Sequence, residues 1–348
     1  MSAPNILIFG AGAIGACYAA LLARTSNKNA ASPSSPTPLV SAVCRSNYPV
    51  VSKSGFKLTS PSYGDFAWTP THTFPNPQAA KESGIKWDYV VITTKALPDV
   101  SDDSAPIDGL VSPGTSIVLI QNGLGVEAAY ATRFAHIPDV AILSGVTVMS
   151  AAQDSPGVIT HNRWTRINIG PFVSSPGGDE ERKSMARANA FCTLLQEGGV
   201  KDAEAYSARK LQLLRWHKIA INAAMNPSSV LSGGTANGAM AQDEELARHL
   251  LGVMKEVLET APKVCGEELP ASFASAERIL ESTRKNTSGS RPSMWFDWEG
   301  GKRMELEVIL GEPIRAARAK GLEMPRLESM YALLKMAQRN RDGEKSKL

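Results

Sequence analysis

The hydrophobic positions in the first half of the chain form short continuous runs. The five runs cover residues 6–9, 39–44, 89–93, 116–120 and 140–143. Continuous apolar runs of this length are typical of strands buried on both faces of a parallel sheet. The first helix is predicted at residues 13–24. Residues 27–38 are rich in Ser, Pro, Ala and Asn, and this composition predicts a flexible exposed insertion. Three shorter runs, 147–153, 158–161 and 166–169, predict antiparallel strands that close the sheet, with a turn at Pro156-Gly157.

Near residues 200–206 the pattern changes to helical periodicity. The predicted helices cover residues 207–225, 243–265, 272–285, 293–320 and 327–339. An α/β half followed by an all-α half indicates two domains, and clefts at domain interfaces are common sites for small ligands. We place the α/β domain at residues 1–203, the helical domain at 204–340 and a flexible C-terminal tail at 341–348.

Composition narrows the classes of function. The 348 residues suffice for two domains, and a net charge of +3 is too balanced for a protein that coats nucleic acid or anionic lipid. No apolar run approaches the roughly 20 residues that a membrane-spanning helix needs. The four cysteines form no CxxC pair, which disfavours a zinc site or a disulfide scaffold and favours a reducing compartment. We therefore expect no metal, no nucleic acid and no membrane partner.

A glycine-rich motif follows the first predicted strand and opens the first predicted helix. It reads Gly10-Ala11-Gly12-Ala13-Ile14-Gly15. In a GxGxxG turn the first glycine allows a tight bend, the second lets the backbone approach a pyrophosphate, and the third lets the helix pack on the strand. The helix N-terminus then attracts the phosphates. An ordinary glycine-rich turn is the alternative, but the strand–turn–helix context favours a dinucleotide site.

The end of the second predicted strand indicates which dinucleotide binds. NAD enzymes usually carry an acidic residue there, which holds a ribose hydroxyl. Here the chain reads Arg45-Ser46-Asn47, without a carboxylate. Arg45 and Ser46 can instead bind a 2′-phosphate, so we predict NADPH/NADP+ as the cofactor. A solvated arginine at a strand end is the alternative.

Polar residues with potential chemistry occur at three further places. Thr93-Thr94-Lys95 ends one predicted strand and Gln121-Asn122-Gly123 follows the next, both at the sheet edge where doubly wound folds bind ligands. In the helical half, Lys218, Asn222 and Asn226 are spaced four apart and share one helix face, and we expect Pro227 to stop or kink that helix. Alternatively, the asparagines cap the helix end and Lys218 extends to solvent.

With the glycine motif and the basic residue after the second strand, these segments resemble the ketopantoate reductase (2-dehydropantoate 2-reductase) family over nearly the whole chain. The Lys–Asn–Asn-Pro helix and a later segment, Ser293-Met294 followed by Asp297 and Glu305, are the most specific parts. The resemblance implies an N-terminal Rossmann-type dinucleotide-binding domain followed by an all-α domain, a fold like that of 6-phosphogluconate dehydrogenase.

The resemblance also implies roles for individual residues. Lys218 matches the proton donor, and Glu305 matches an acid that helps hold ligand. Lys95 matches a residue near the nicotinamide end of the cofactor, where we also place Asn122 and Glu305. The positions that match substrate contacts are Asn122, Lys218, Asn222, Asn226, Ser293 and, with one extra residue in the spacing, Asn237. His161 and His217 match no catalytic position of the family.

The activity implied is NADPH-dependent reduction of the keto acid 2-dehydropantoate to (R)-pantoate, for pantothenate and coenzyme A synthesis. A lysine in a desolvated site suits this chemistry, because burial lowers its pKa towards the working pH. The chain departs from the family where Met304-Glu305-Leu306-Glu307 and Leu310-Gly311 replace the usual residues. A related NADP-dependent reductase of another 2-keto or 3-hydroxy acid, and a non-catalytic NADPH-binding regulator, are the alternatives.

The ends of the chain indicate its location. The first predicted strand begins at residue 6, so we expect no leader peptide before it. The chain finishes with Ser346-Lys347-Leu348, the tripeptide that a peroxisomal import receptor recognises. We predict a peroxisomal location in a eukaryote and a cytoplasmic one otherwise, and we consider a homodimer as the assembly.

Overall fold

The computed structural model describes residues 2–24 and 36–343. Its strands are β1 (Asn5–Phe9), β2 (Leu39–Val43), β3 (Phe56–Thr59), β4 (Phe66–Trp68), β5 (Thr73–Phe74), β6 (Tyr89–Ile92), β7 (Ser116–Leu119), β8 (Ala141–Ser155), β9 (Val158–Pro171) and β10 (Ala203–Ala205). They join in one sheet with the order β4-β3-β9-β8-β7-β6-β1-β2-β5, and β10 pairs with β9. The five continuous apolar runs of the sequence are strands β1, β2, β6, β7 and the start of β8, which confirms those predictions.

The helices are concentrated in the second half of the chain. They are α1 (Ala13–Leu22), α2 (Tyr48–Ser54), α3 (Pro77–Glu82), α4 (Ala128–Phe134), α5 (Asp179–Glu197), α6 (Ala208–Leu231), α7 (Asn237–Gln242), α8 (Glu244–Cys265), α9 (Ala276–Arg284), α10 (Ser293–Glu299), α11 (Glu312–Arg318) and α12 (Pro325–Arg341). A short 3-10 helix covers Ala105–Ile107, and a π-helical segment covers Glu307–Gly311. An α/β half followed by helices confirms the predicted fold class.

The central strands of the sheet are parallel, and their carboxyl ends are in register at one edge. Phe9 of β1 lies opposite Val43 of β2 and Ile92 of β6, and Ile92 in turn lies opposite Leu119 of β7. The glycine motif, the Arg45 turn and the segments after β6 and β7 therefore leave the sheet at the same edge. Helices α1 and α5 cover one face of these strands, where Tyr18 and Phe191 are fully buried. Burial on both faces explains why the strand runs are continuous rather than alternating.

Strands β8 and β9 form one long antiparallel hairpin. The sequence predicted three short strands there, which is wrong in extent, whereas the turn at Pro156-Gly157 is confirmed. Gly157 has a φ of +78°, a conformation that glycine adopts without strain. The hairpin contains register shifts near Ser150, and its distal half is largely exposed. Exposure there removes the apolar pattern from which a longer strand could be predicted.

The described residues group into two compact units. The first contains residues up to 95, 102–121 and 127–211, and the second contains 96–101, 122–126 and the residues from 212 onwards. The division falls inside α6, whereas the boundary predicted from the sequence lies at 203/204. The first turn of α6 belongs to the α/β unit because the Ala208 amide donates a hydrogen bond to Glu181 at 2.8 Å. Leu211 also lies so close to Gly170 that a Cβ on this glycine would come within 3.1 Å of it.

Two helix predictions need correction in the second unit. The predicted helix 293–320 is interrupted: α10 ends at Glu299, and Gly300-Gly301 follows with Gly301 at a φ of +63°. The other correction concerns Pro227, which lies inside α6 and does not stop it, because the helix continues to Leu231. A kink at Pro227, the alternative that we predicted, stays a prediction. Along the described chain, no helix has the length and apolar content of a membrane span. Within residues 2–24 and 36–343, no group of three or more His, Cys, Asp or Glu is placed to hold a metal ion.

The two segments predicted to be flexible fall mainly outside the described residues. The insertion 27–38 contributes only residues 36–38 to the described chain, and the tail contributes 341–343. Arg341 is the last residue of α12, and the Asp342 carboxylate forms an ion pair with Arg303 at 3.0 Å. The Ser346-Lys347-Leu348 tripeptide lies outside the described residues.

Candidate active site

The three motif glycines differ in what surrounds them. Gly10 has a φ of +106°, and a Cβ there would lie 2.8 Å from the Thr94 amide nitrogen. A Cβ on Gly15 would overlap the Gly10 carbonyl oxygen, so close packing of α1 on the turn requires glycine there. Gly12 is exposed, and a Cβ on it would meet nothing within 4 Å. Gly12 is also the N-cap of α1, and no side chain caps that helix. An open backbone at an uncapped helix start fits the pyrophosphate of a dinucleotide.

Two polar side chains hold this loop in place. The buried Asn47 amide donates from Nδ2 to the Ala11 carbonyl at 2.8 Å, and Thr93 Oγ1 donates to the Gly10 carbonyl at 2.5 Å. Sequence reasoning listed Asn47 only as part of the strand end and missed this role. The sequence shows only a polar residue directly after Arg45-Ser46. It does not show that Asn47 is buried, and burial is what brings its side chain to the Ala11 carbonyl.

Arg45 and Ser46 are exposed in the turn after β2, the parallel neighbour of β1. No acidic side chain occurs in this turn, so the charge there is positive. A positive, solvent-accessible group beside the glycine loop fits a 2′-phosphate. Lys95 is exposed three residues after β6, on the other side of β1.

In the second unit a chain of hydrogen bonds joins three predicted site residues. Lys218 Nζ donates to Asn122 Oδ1 at 2.8 Å, and Asn122 Nδ2 donates to Glu305 Oε2 at 3.4 Å. Glu305 is only 6% exposed, and its other oxygen accepts the Ala96 amide at 3.2 Å. An ammonium can only donate and a carboxylate can only accept, so their chemistry fixes the orientation of the Asn122 amide between them.

The surroundings of Lys218 change its acidity. Burial lowers the pKa of Lys218, the nearby Arg215 guanidinium lowers it further, and Glu305 raises it, leaving a value of about 8. The ordinary value is 10.5. A lysine with a pKa near 8 is still mostly protonated at neutral pH and releases its proton more readily than a solvated one, as a general acid requires.

The loop that carries Asn122 is held from two sides. From α6, Arg215 Nη1 donates to the Gly123 carbonyl at 2.9 Å. From the π-helical segment, the Val308 carbonyl accepts the Leu124 amide at 2.8 Å. Gly123 has a φ of +95°, and a Cβ on it would overlap the Val308 side chain, so the close approach requires glycine. Sequence reasoning missed Arg215, because a charged residue in a helix is normally exposed.

The other predicted substrate residues lie on three helices of the second unit. Asn222 and Asn226 continue the Lys218 face of α6, Asn222 partly buried and Asn226 buried. Asn237 begins α7 and Ser293 begins α10, where Ser293 is exposed. Among the described residues, no hydrogen bond joins these four side chains to Lys218. Of the predicted substrate residues, Asn122 is the one that bonds to Lys218, and it links Lys218 to Glu305.

Asn237 is tied to the loop that leads into Ser293. Its backbone amide donates to the Ser290 carbonyl at 2.9 Å, and its Nδ2 donates to Ser290 Oγ at 3.4 Å. The Asn237 Oδ1 atom is buried and accepts no hydrogen bond from the described residues. A buried acceptor in this state is suited to a donor group on a ligand.

His217 and His161, the two histidines that match no catalytic position of the family, contact neighbouring backbone and side chains. His217 Nε2 donates to the Ala274 carbonyl at 2.9 Å, and its ring lies 5.0 Å from the Phe273 ring. His161 is buried, with Nδ1 2.8 Å from Ser60 Oγ and Nε2 2.9 Å from the Trp164 carbonyl.

Comparisons with known proteins cover both units. The family model "Ketopantoate reductase PanE/ApbA" matches residues 6–174, and the model of its C-terminal domain matches residues 210–338. The 2-dehydropantoate 2-reductase of Nostoc sp. is 26% identical over 99% of this chain and 98% of its own. The crystal structure of 2-dehydropantoate 2-reductase from Methylococcus capsulatus is 31% identical, with a TM-score of 0.79 over 99% of both chains. D-mandelate dehydrogenase, solved with NADH and anilino(oxo)acetate, shares the fold with a TM-score of 0.75 over 97% of this chain and 99% of its own, at 16% identity.

Proposed function

Because the chain belongs to the ketopantoate reductase family, we propose that it reduces 2-dehydropantoate to (R)-pantoate with NADPH, a step towards pantothenate and coenzyme A. The protein is an oxidoreductase that uses a nicotinamide dinucleotide. The observation that carries the proposal is the hydrogen-bonded series Lys218–Asn122–Glu305, which contains a potential proton donor and fixes its direction.

The residues of the first unit fit the cofactor. The open backbone at Gly12 and the start of α1 would hold the pyrophosphate, and Arg45 with Ser46 would hold the 2′-phosphate of NADPH rather than the bare ribose of NADH. We assign Lys95 and Asn122 to the nicotinamide end. A bound reduced nicotinamide supplies the hydride that adds to the ketone carbon.

Lys218 supplies the proton that the reduction needs. As negative charge develops on the ketone oxygen, the Lys218 ammonium donates a proton to it, and its lowered pKa makes this transfer favourable near neutral pH. Asn122 accepts one ammonium hydrogen and thereby aims the remaining two. Glu305 accepts from Asn122 and from the Ala96 backbone, which keeps the amide from rotating.

The remaining polar residues suit a substrate with carboxylate and hydroxyl groups. Asn222, Asn226 and Ser293 offer donors for a carboxylate, and each can also accept from a hydroxyl. Asn237 Oδ1 is a buried acceptor without a protein donor among the described residues, which suits a hydroxyl. An aromatic 2-keto acid such as phenylglyoxylate has no hydroxyl to offer.

A panel of keto acids tests the proposal. Purified protein is mixed with NADPH and with 2-dehydropantoate, its analogue without the hydroxyl, or phenylglyoxylate, and nicotinamide absorbance is followed. We expect 2-dehydropantoate to give the highest kcat/KM. A higher value for another acid would replace the substrate and keep the chemistry, whereas NADPH binding without turnover of any acid would indicate a regulator. Sedimentation of the same sample tests the homodimer.

A further inference from the structure

Arg215 is a buried cation placed one helical turn before the proposed proton donor. It is 3% exposed and lies three residues before Lys218 on α6, so the two side chains are neighbours on the helix surface. Two positive charges on adjacent turns repel each other, and water screens this pair incompletely because Arg215 is buried and Lys218 is partly buried. A buried charge is costly unless it is paired or hydrogen-bonded. We therefore expect Arg215 to have a role in the site that offsets the energetic cost of burying its charge beside Lys218.

One role is mechanical. Arg215 Nη1 donates to the carbonyl of Gly123, the residue after Asn122. On its other side Gly123 is in contact with Val308, so the loop has no room to move towards the π-helical segment. The guanidinium thus fixes the loop from α6. Since Asn122 accepts directly from Lys218, the position of this loop determines the direction of the ammonium.

The other role is electrostatic. Among residues 2–24 and 36–343, two charged groups act on Lys218: the Glu305 carboxylate, reached through Asn122, and the Arg215 guanidinium. Glu305 favours the ammonium and so retains its proton, whereas Arg215 opposes the ammonium. With Glu305 alone beside it, Lys218 would be a weaker acid.

We propose that Arg215 is a positioning residue of the reductive site, which fixes the Asn122–Gly123 loop through the Gly123 carbonyl and sets its positive charge against that of the neighbouring Lys218 ammonium. The inference rests on the proposed reduction for its meaning. The state of the Lys218 amine can nevertheless be measured without any substrate, and the test uses this.

The experiment compares a neutral and a charged replacement of Arg215. Arg215→Gln removes the charge and keeps a donor, and Arg215→Lys keeps the charge. Acetic anhydride acetylates only the unprotonated amine, so the pH midpoint of Lys218 labelling, measured by mass spectrometry, reports its pKa. We expect the midpoint of Arg215→Gln to rise by about half a unit to one unit, because a repelling charge is removed. Arg215→Lys should keep the midpoint of the parent, with lower turnover because the hydrogen bond from Arg215 Nη1 to the Gly123 carbonyl is lost.

A matched control removes a cation from the same helix at an exposed position. Lys210 is exposed on α6, and Lys210→Gln should leave the labelling midpoint of Lys218 unchanged. If Arg215→Gln does not fold, Arg215→Met takes its place as the neutral variant. An unchanged midpoint in the neutral variant, or an equal rise in Arg215→Lys, overturns the inference. Failure to reduce 2-dehydropantoate would instead count against the proposed function, because labelling does not depend on substrate.

The alkaline limb of the activity profile gives a second readout. If 2-dehydropantoate is reduced, the pH at which kcat falls should move upwards in Arg215→Gln by the same amount as the labelling midpoint. A variant that merely loosens the structure would lower kcat equally at every pH, and that result would also overturn the electrostatic part of the inference.

Discussion

At the scale of a single residue, the proton donor that we propose, Lys218, must meet two opposing requirements. It must carry a proton at neutral pH, and it must release that proton to a weakly basic oxygen. Burial and Arg215 bring its pKa to about 8, while Glu305 prevents a further fall. The ammonium therefore persists at pH 7 but lies close to its titration range, where general acids are most effective.

Removal of the ammonium tests this role. We expect Lys218→Ala to lower turnover by about 100-fold or more, which is the usual contribution of a positioned acid. NADPH affinity, measured by fluorescence titration, should be retained, because the glycine loop and Arg45 remain. In the parent enzyme, reduction should decline as pH rises through about 8, since Lys218 loses its proton there. The variant should lack this decline, and normal turnover in Lys218→Ala would refute the assignment.

Arg45 should decide between the two nicotinamide cofactors. Arg45→Ala removes the cation at the turn after β2, so we expect the preference for NADPH over NADH, as a ratio of kcat/KM, to fall about 10- to 100-fold. Activity with NADH should change little. Lys53 is an exposed cation on α2, and Lys53→Ala serves as the control that leaves the preference intact. An unaltered preference in Arg45→Ala would mean that another group contacts the 2′-phosphate.

At the scale of elements, the turn between β1 and α1 contains one glycine that close packing requires and another that leaves open space for a ligand. A Cβ on Gly15 overlaps the Gly10 carbonyl, so Gly15→Ala should lower the free energy of unfolding by about 1–3 kcal/mol. A Cβ on Gly12 meets nothing within 4 Å, so Gly12→Ala should keep the Tm and raise the Kd for NADPH about tenfold. Thermal unfolding and cofactor titration of both variants check this contrast. A large loss of Tm in Gly12→Ala would show that the residue packs rather than binds.

The π-helical segment after Glu305 is anchored by a second glutamate. Glu307 is 7% exposed, and its carboxylate accepts from Tyr331 at 2.6 Å, from Lys335 at 2.9 Å and from Arg315 at 2.9 Å. Burial alone would raise the pKa of Glu307, but these three donors outweigh it and bring the pKa to about 2. The carboxylate therefore stays ionised. Its hydrogen bonds tie the π-helical segment to Arg315 of α11 and to Tyr331 and Lys335 of α12.

Glu307 should make the stability of the protein depend on pH in a defined direction. Its folded pKa lies below the ordinary value of 4.5, so its contribution is complete above that value and is lost as pH falls towards 2. We expect Glu307→Gln to lower the free energy of unfolding by about 2 kcal/mol at pH 7 and by less at acidic pH. Denaturant unfolding at several pH values measures this difference. Glu323→Gln, an exposed carboxylate, is the control, and an equal loss at every pH would exclude the carboxylate as the cause.

Element by element, the sequence predicted what periodicity and local chemistry determine. Strand β1, the glycine turn and α1 follow from an apolar run next to a motif whose residues each have a steric reason. The break at Gly300-Gly301 and the π-helical segment were missed because the apolar periodicity continues across them while backbone conformation changes. Asn47 and Arg215 were missed for another reason. Their roles depend on burial by residues distant in sequence, and polar side chains in such positions look like ordinary surface residues.

At the scale of the whole molecule, two short segments of the α/β half group with the helical residues. Residues 96–101 and 122–126 follow β6 and β7 along the chain, yet they belong to the second unit. They bring the Ala96 amide and Asn122 to Glu305 and Lys218. The predicted domain boundary treated each domain as one continuous stretch, and no local pattern marks such excursions. Contacts between residues more than 80 positions apart create them.

The C-terminal tripeptide concerns the molecule as a whole, because it would determine where the chemistry takes place. We propose that in a eukaryotic cell Ser346-Lys347-Leu348 directs the enzyme to peroxisomes, since the import receptor reads these residues at a free C-terminus. The full chain with an N-terminal fluorescent protein should colocalise with a peroxisomal marker, and deletion of Leu348 should leave it diffuse in the cytosol. Lys345→Ala, just outside the tripeptide, should not affect targeting. All proposed site residues lie between Gly10 and Glu305, so the deletion should leave kcat unchanged. A diffuse full-length chain, or a peroxisomal one without Leu348, would show that the tripeptide is not the address.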